Sequence, residues 1–424
     1  MPRNAQVMLA ASLAFFFVTA TTFTSLGYVL YTMVAQLGWS NAAAGLSFSL
    51  LGLTCGLSSP LPPLLMKKIG TRMTMVSGCL VLAAGFLLAS LASDLSLFFL
   101  ATSLMGIGFT LAAPSPGVFL IATWFPRTSA RMIGFYFMIG SSGGIVGPLI
   151  VGTIVGLTGD WRLHWMIMAI CSVLLALICL VCVREAVKVE SVEQVTGAGG
   201  RGGDAKAPAS RTWTVRQALL SPAFVVLATV MMVVQMAVTS NHSILVSHIA
   251  NLGQGAAPGA IAMSLLAFAG TGAKGITGAL CEKVDPRGIL VAGLGLQSAA
   301  MLLLWSTPLV ILACAAAVLF GIGWGMAWLA AHVLILRYFG ASIAGDMTAM
   351  ATTATTLAVL GPIIAGRVAD VTGSYGTAML IFSALLAGAT LLAILFLRAP
   401  ASLPDAARES ASDDEAMGRM VPAE

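Results

Sequence analysis

Residues 147–159 read GPLIVGTIVGLTG, and residues 361–373 read GPIIAGRVADVTG. The two stretches share an opening Gly-Pro, a glycine five positions in and a closing Thr-Gly, at an offset of 361 − 147 = 214 residues. At the same offset Trp124-Phe125-Pro126 meets Tyr338-Phe339-Gly340, and Ser141-Ser142 meets Thr355-Thr356. PLLMKKIGTR (63–72) meets GALCEKVDPR (278–287) one residue away from that register. A chain of 424 residues that repeats itself about its midpoint is built from two like halves.

Composition says what the halves are made of. Hydrophobic residues make up 58% of the chain and charged residues only 9%, with a mean hydropathy of +0.98. A soluble domain carries about 25% charged residues. Apolar runs of about 20 residues, the length a bilayer core of about 30 Å demands, recur along the whole chain. Their pattern predicts twelve spans near 7–36, 41–65, 73–92, 97–123, 130–157, 162–183, 217–248, 258–281, 288–306, 309–336, 343–371 and 376–397. The expected fold is an all-α polytopic membrane protein with two pseudo-symmetric six-helix bundles, 1–183 and 217–398. A charged, Gly-rich linker (184–216) joins them, and a polar tail (399–424) follows. The run after Met1–Arg3 is too long for a signal peptide and is read as an uncleaved first helix.

Charge sets the expected orientation. Of 21 Lys and Arg, all but Arg162, Lys274 and Arg367 fall on one side if both termini are cytoplasmic. That asymmetry is what the positive-inside rule describes. The net charge of +5 therefore reports topology and not a nucleic-acid footprint. The expected location is a bacterial inner (plasma) membrane, with a monomeric chain in the bilayer. The seven cysteines lie in or at the ends of spans, without metal-ligand spacing, so neither a metal nor another cofactor is expected. No Ser/His/Asp set or phosphate loop points to an enzyme.

One residue breaks the apolar pattern. Lys274, in AGTGAKGITGALCEKVDPRG (269–288), stands eight residues before Glu282. That is about 12 Å of helix at about 1.5 Å per residue. An ionisable group inside a span costs about 3 kcal/mol and normally faces a polar cavity. Snorkelling to the interface is the alternative, and it strains over that distance. Gly270, Thr271 and Gly278 flank Lys274 at helical spacing and are expected to leave room around the ammonium. No Asp or Glu lies in the core of any span; Asp370 has Arg367 three residues before it as a local partner. A lone cation in a pocket attracts an anion, and a carboxylate is the natural one.

Neutral polar groups recur at helical spacing. The first span presents Thr21, Thr24, Tyr28 and Tyr31 on one stripe, and the seventh presents Gln235, Thr239 and His242. Such stripes line water or substrate, or else bind neighbouring helices through hydrogen bonds. The tenth span carries Trp324, Trp328 and His332 at steps of four, as substrate-shaping aromatics or as an interfacial belt. Pro114 and Pro116 bend or break the fourth span. Gly143, Gly147 and Pro148 in the fifth span, with Gly361 and Pro362 in the eleventh, mark close helix packing.

With these residues in place, the chain resembles the major facilitator superfamily over essentially its whole length. The family's loop between second and third helices reads about G-x-x-x-D-R-x-G-x-R. The second half keeps its outline as Gly278, Glu282, Lys283 and Arg287. The first half has Pro63 for the glycine and Lys67 for the acid, with Lys68, Gly70 and Arg72 matching. The resemblance implies a cytoplasmic gate latch, and the first half lacks the acid. Gly134, Gly143, Gly147, Pro148 and Gly152 resemble the family's antiporter pattern, with Val151 replacing its penultimate glycine.

Within the superfamily, QLGWSNAAAGLSFSL (36–50), TWFPRTSARMIG (123–134) and a basic residue in the eighth span look like the monocarboxylate transporters and the oxalate:formate antiporter. That resemblance implies that Lys274 contacts a substrate carboxylate. The first span lacks the symporters' lysine, Gly270 stands where their eighth-helix acid is expected, and the eleventh span lacks the antiporter's second lysine. The expectation is a secondary transporter of a small organic anion, proton-linked or exchanging anions. The candidate substrate residues are Lys274, His242, Gln235, Tyr28, Tyr31, Trp324, Trp328 and His332. The alternative is a proton-driven multidrug efflux antiporter.

Overall fold

The computed structural model describes residues 3–126, 128–185, 214–340 and 343–399, and every regular element among them is helical. Most of the expected linker and nearly all of the tail lie outside the described residues. The first six spans are α1 (Arg3–Leu37), α2 (Asn41–Leu57), α3 (Leu61–Ser90), α4 (Leu95–Trp124), α5 (Ser129–Thr158) and α6 (Trp161–Cys182). The second six are α7 (Pro222–Ile249), α8 (Ala257–Lys283), α9 (Pro286–Ser306), α10 (Val310–Phe339), α11 (Ala344–Ala354 and Leu360–Thr372) and α12 (Tyr375–Phe396). Eleven of these helices are long and apolar enough to cross a membrane, and α2 is a shorter apolar helix.

The helices are interrupted where the backbone is short of partners. In α1 the hydroxyls of Thr21 and Thr22 donate to Phe17 O (2.8 Å) and Val18 O (2.6 Å), and Thr24 donates to Thr19 O (2.9 Å). Such back-bonding competes with the ladder and bends helices, and Thr22 leaves the helical region. The stripe expected to face a cavity is therefore partly spent on its own backbone. In α4 the chain leaves the helix at Ala113 (φ −140°, ψ −143°), just ahead of Pro114, which breaks the span as expected. In α11 a 3-10 turn, Thr355–Val359, joins the two α-helical pieces.

One boundary differs from expectation. The second span ends at Leu57, not near 65, and the loop after it is helical from Leu61. Pro62 and Pro63 fall in the first turn, where a missing N–H costs nothing. Gly70, at φ 83°, then turns the chain into the straight part of α3. The Glu185 carboxylate, just beyond α6, lies against Gly70 where a β-carbon would be. An acid thus returns to this loop from another part of the chain.

Small residues hold each half together. Gly143 and Gly147 of α5 rest on the α1 backbone at Phe16 and Ala20, and Gly361 of α11 rests on α7 at Met236 and Ser240. The Gly-Pro repeat thus places α5 on α1 and α11 on α7 in equivalent ways. Gly321 and Gly325 of α10 lie against Leu266, Gly270 and Ala273 of α8, as close packing without bulky side chains requires. Within the second half, Arg287 donates to Ile394 O (2.6 Å) and Arg337 to Cys281 O, placing cations at the C-terminal ends of α12 and α8. Glu282 is exposed.

The halves meet mainly away from the chain termini. At that distal end Gly27 of α1 packs on the His242 carbonyl of α7, and Gly152 of α5 packs on Ala260 of α8. α2 lies along α11, with Gly45 on Pro362, Ser49 donating to Val359 O, and Gly56 beside Thr356. Thr24–Leu30 and Ser240–Ala250 are buried without interruption. Toward the termini the contacts between halves fall away: the distal part of α1 (Phe23–Leu37) packs on α7, whereas its terminal part (Arg3–Thr21) and the terminal piece of α11 (Ala344–Ala354) pack chiefly within their own halves. The molecule is sealed at the distal end and parted at the terminal end.

Candidate functional site

The site begins at the seam between α8 and α10. A β-carbon at Gly270 would sit 2.9 Å from the Trp324 ring, so the glycine's space belongs to the indole and is not open room around Lys274. Lys274 follows one turn later, and its Nζ stands 3.8 Å from the Trp324 ring centroid. Lys274 also continues the stripe of Ala260 and Ala267, the α8 face that meets α5 at the distal seal. The ammonium therefore lies on the boundary between halves, where the seal has given way.

A third helix completes the cluster. The His242 ring of α7 is 6.0 Å from Trp324 and nearly perpendicular to it (77°). Its Nδ1 bonds Val238 O at 2.8 Å, and because a carbonyl only accepts, the proton is on Nδ1. That leaves Nε2 as the acceptor of the neutral ring. Further along α10, Trp328 and His332 pair at 4.9 Å, and His332 Nδ1 donates to Trp328 O at 2.7 Å in the same way. Gln235 is half-buried on α7, seven residues from His242 toward the terminal end.

The two tyrosines belong elsewhere. Tyr28 is buried and touches the Gly152 region within the distal seal. Tyr31 lines a separate cavity of about 370 Å³ at the distal face, with Asn41, Ser247, Asn251, Ser374 and Tyr375. The geometry brings together Lys274, Trp324 and His242, with Trp328 and His332 following along α10. It does not bring Tyr28 or Tyr31 to them.

Magnitudes say what the cluster needs. A lysine at membrane depth costs about 3 kcal/mol. Stacking on an indole returns about 1 to 2 kcal/mol when desolvated. The remainder has to come from water or an anion. The carboxylates of the described residues are at helix ends: Asp94, Asp160 and Asp285 cap α4, α6 and α9, and Asp370 sits in the last turn of α11. Asp346, Glu185 and Glu282 are exposed. A deep ammonium stacked on an aromatic plane is suited to an anion with an apolar body. Trp324→Ala should keep the charge but lose the platform, raising KM for such an anion about tenfold, as an uptake titration in proteoliposomes would measure.

Asp370 was expected to pair with Arg367 on its own helix. Instead its carboxylate crosses to the other half, accepting from Asn41 N (2.8 Å), Asn41 Nδ2 (2.9 Å) and Ala42 N (2.9 Å). Tyr375 Oη donates to Asn41 Oδ1. Sequence reasoning missed this group; its one signal is an asparagine directly after the Ser40 cap.

Twelve spans among the described residues, in two like halves sealed at one end, are the arrangement of a membrane transporter. The Major Facilitator Superfamily model matches residues 11–359, and the chain belongs to that superfamily. It is a transporter family and not an enzyme family. Over 138 residues the chain is 29% identical to multidrug resistance protein MdtH of Yersinia enterocolitica, and the same holds for MdtH of Yersinia pestis. Each match covers 32% of this chain and 32% of the relative, so the chain spans about a third of the length of these relatives. A bacterial homolog of the human lysosomal transporter Spinster, solved inward-facing and unoccupied, superposes with a TM-score of 0.77 at 18% identity. That superposition covers 94% of this chain and 98% of the homolog. The nucleoside transporter NupG gives a TM-score of 0.73 at 14% identity, over 94% of this chain and 100% of that one. At these identities the likeness is one of fold.

Proposed function

We propose that the protein moves small organic anions, monocarboxylates foremost, by alternating access, with Lys274 reading the carboxylate. The observation that carries this reading is the ammonium on the face between the halves, stacked on Trp324 and without a carboxylate partner among the described residues. Trp324, Trp328, His242 and His332 shape the space for the apolar body, and Gln235 supplies a neutral hydrogen-bonding group on the approach. In this reading both termini are cytoplasmic in a bacterial inner membrane, following the Lys and Arg asymmetry, and the parted end faces the cytoplasm. Movement is proton-linked, with Nε2 of His242 or His332, or Lys274 itself, taking the proton that accompanies the anion. If uptake ignores an imposed pH gradient yet is accelerated by internal unlabelled substrate, anion exchange replaces the proton-linked reading.

A second reading, multidrug efflux, is favoured by the partial likeness to MdtH and by the glycine pattern of α5. Proteoliposomes separate the two. Labelled monocarboxylate should accumulate, and dye efflux should stay at the level of empty vesicles; the opposite pair of results selects efflux. One cation neutralises one carboxylate, so matched-length dicarboxylates should compete about tenfold more weakly than monocarboxylates for uptake. Stronger competition by fully ionised dianions would require a second positive group in the cavity.

A further inference from the structure

The distal seal has a charged rim unlike the rest of it. Below the rim the halves meet through uncharged groups, at Gly45 with Pro362, Gly152 with Ala260, Gly27 with the His242 carbonyl, and the Ser49 hydroxyl on Val359 O. At the rim a single carboxylate, Asp370 of α11, takes the first-turn N–H groups of α2 (Asn41 and Ala42) together with the Asn41 amide. Tyr375 of α12 holds the other side of that amide. Asp370 is exposed, and Asn41 and Tyr375 line the distal cavity of about 370 Å³, so water reaches the network.

We propose that Asp370, Asn41 and Tyr375 form a reversible latch that holds the distal end of the transporter shut. An anion at a helix N-terminus is stabilised both by the unpaired N–H groups and by the helix dipole, so the carboxylate binds the opposite half as a cap. Charge-assisted bonds of this kind are the strong ones, and three converge on one side chain. The latch can also let go. The α2 donors border the distal cavity, and Arg367 stands three residues before Asp370 on an exposed part of α11. When the halves separate, Asp370 exchanges Asn41 for Arg367, the i−3 partner on its own helix. One carboxylate thus has a partner in each state, across the halves when shut and within α11 when open. This device is independent of which substrate is carried.

Hydrogen–deuterium exchange on the intact protein in nanodiscs tests it, because opening the distal end exposes segments far from the latch. Asp370→Asn should raise exchange of Thr24–Leu30 and Ser240–Ala250 about tenfold, since charged hydrogen bonds are lost. Exchange at the terminal end, around 131–139 and 346–353, should fall in parallel as the halves rock. Tyr375→Phe removes one bond and should move both regions the same way by about threefold, which keeps the test available if Asp370→Asn does not fold. Arg367→Gln should do the reverse, because it removes the open-state partner. Changes confined to residues 41–44, or unchanged exchange at both ends in the folded variants, would overturn the latch.

Discussion

Lys274→Gln is expected to abolish monocarboxylate uptake, by about 100-fold or more, while leaving the protein folded. A hydrogen bond to a charged group contributes about 1.5 to 3 kcal/mol, and each 1.4 kcal/mol is about tenfold in affinity. Glutamine keeps much of the length and polarity of the side chain but removes the charge of the cluster. Stability should not suffer. Removing a cation at depth relieves about 3 kcal/mol of insertion cost and forfeits about 1 to 2 kcal/mol of stacking on Trp324. The melting temperature should therefore hold or rise slightly, which distinguishes a binding lysine from a structural one. Lys274→Arg should retain partial uptake, because the guanidinium keeps the charge and stacks on the same ring with different donor geometry. Labelled uptake together with a thermal melt of each variant checks both halves of the expectation. Wild-type uptake by Lys274→Gln, or a melting point several degrees lower, would contradict it.

The architecture was legible because lipid leaves a chain few choices: long apolar runs must be helices, and a Gly-Pro repeat 214 residues apart must do the same packing in each half. Breaks were legible where a residue cannot be helical, as at Pro114. They were invisible at Thr22, where hydroxyls bonding back to carbonyls bend a sequence of ordinary helix formers. The site followed the same division. Periodicity assigns a residue to a face but not to a depth along the groove that face lines. His242 and Tyr28 were both placed on cavity-facing stripes, and one stands by Trp324 while the other is buried in the distal seal. Trp324 filling the space of Gly270 depends on how closely α8 and α10 approach, which only tertiary packing sets. Asp370 shows the limit most clearly. A local rule assigned it Arg367, and the structure gives it Asn41, 329 residues away in sequence.

Gly45→Leu should separate closure of the distal end from folding of the halves. A side chain at Gly45 would run into the carbonyl of Pro362, a residue of the other half whose ring fixes its backbone and leaves it little freedom to retreat. Gly147, which opens the repeat in the first half, meets the α1 backbone at Ala20 inside its own half. The two glycines are equally crowded, but the consequences differ. Gly147→Leu overpacks a bundle, costing about 1 to 3 kcal/mol or more and lowering the melting temperature. In Gly45→Leu each bundle can keep its packing while α2 and α11 cannot close, so the population moves to the state open at the distal end. Transport requires both states and should fall more than about tenfold, because the lost closure converts directly into a smaller competent fraction. Exchange should rise in Ser240–Ala250, with a melt close to wild type. A Gly45→Leu protein that transports normally, or that melts as early as Gly147→Leu, would show that this contact belongs to the stability of the fold and not to its gate.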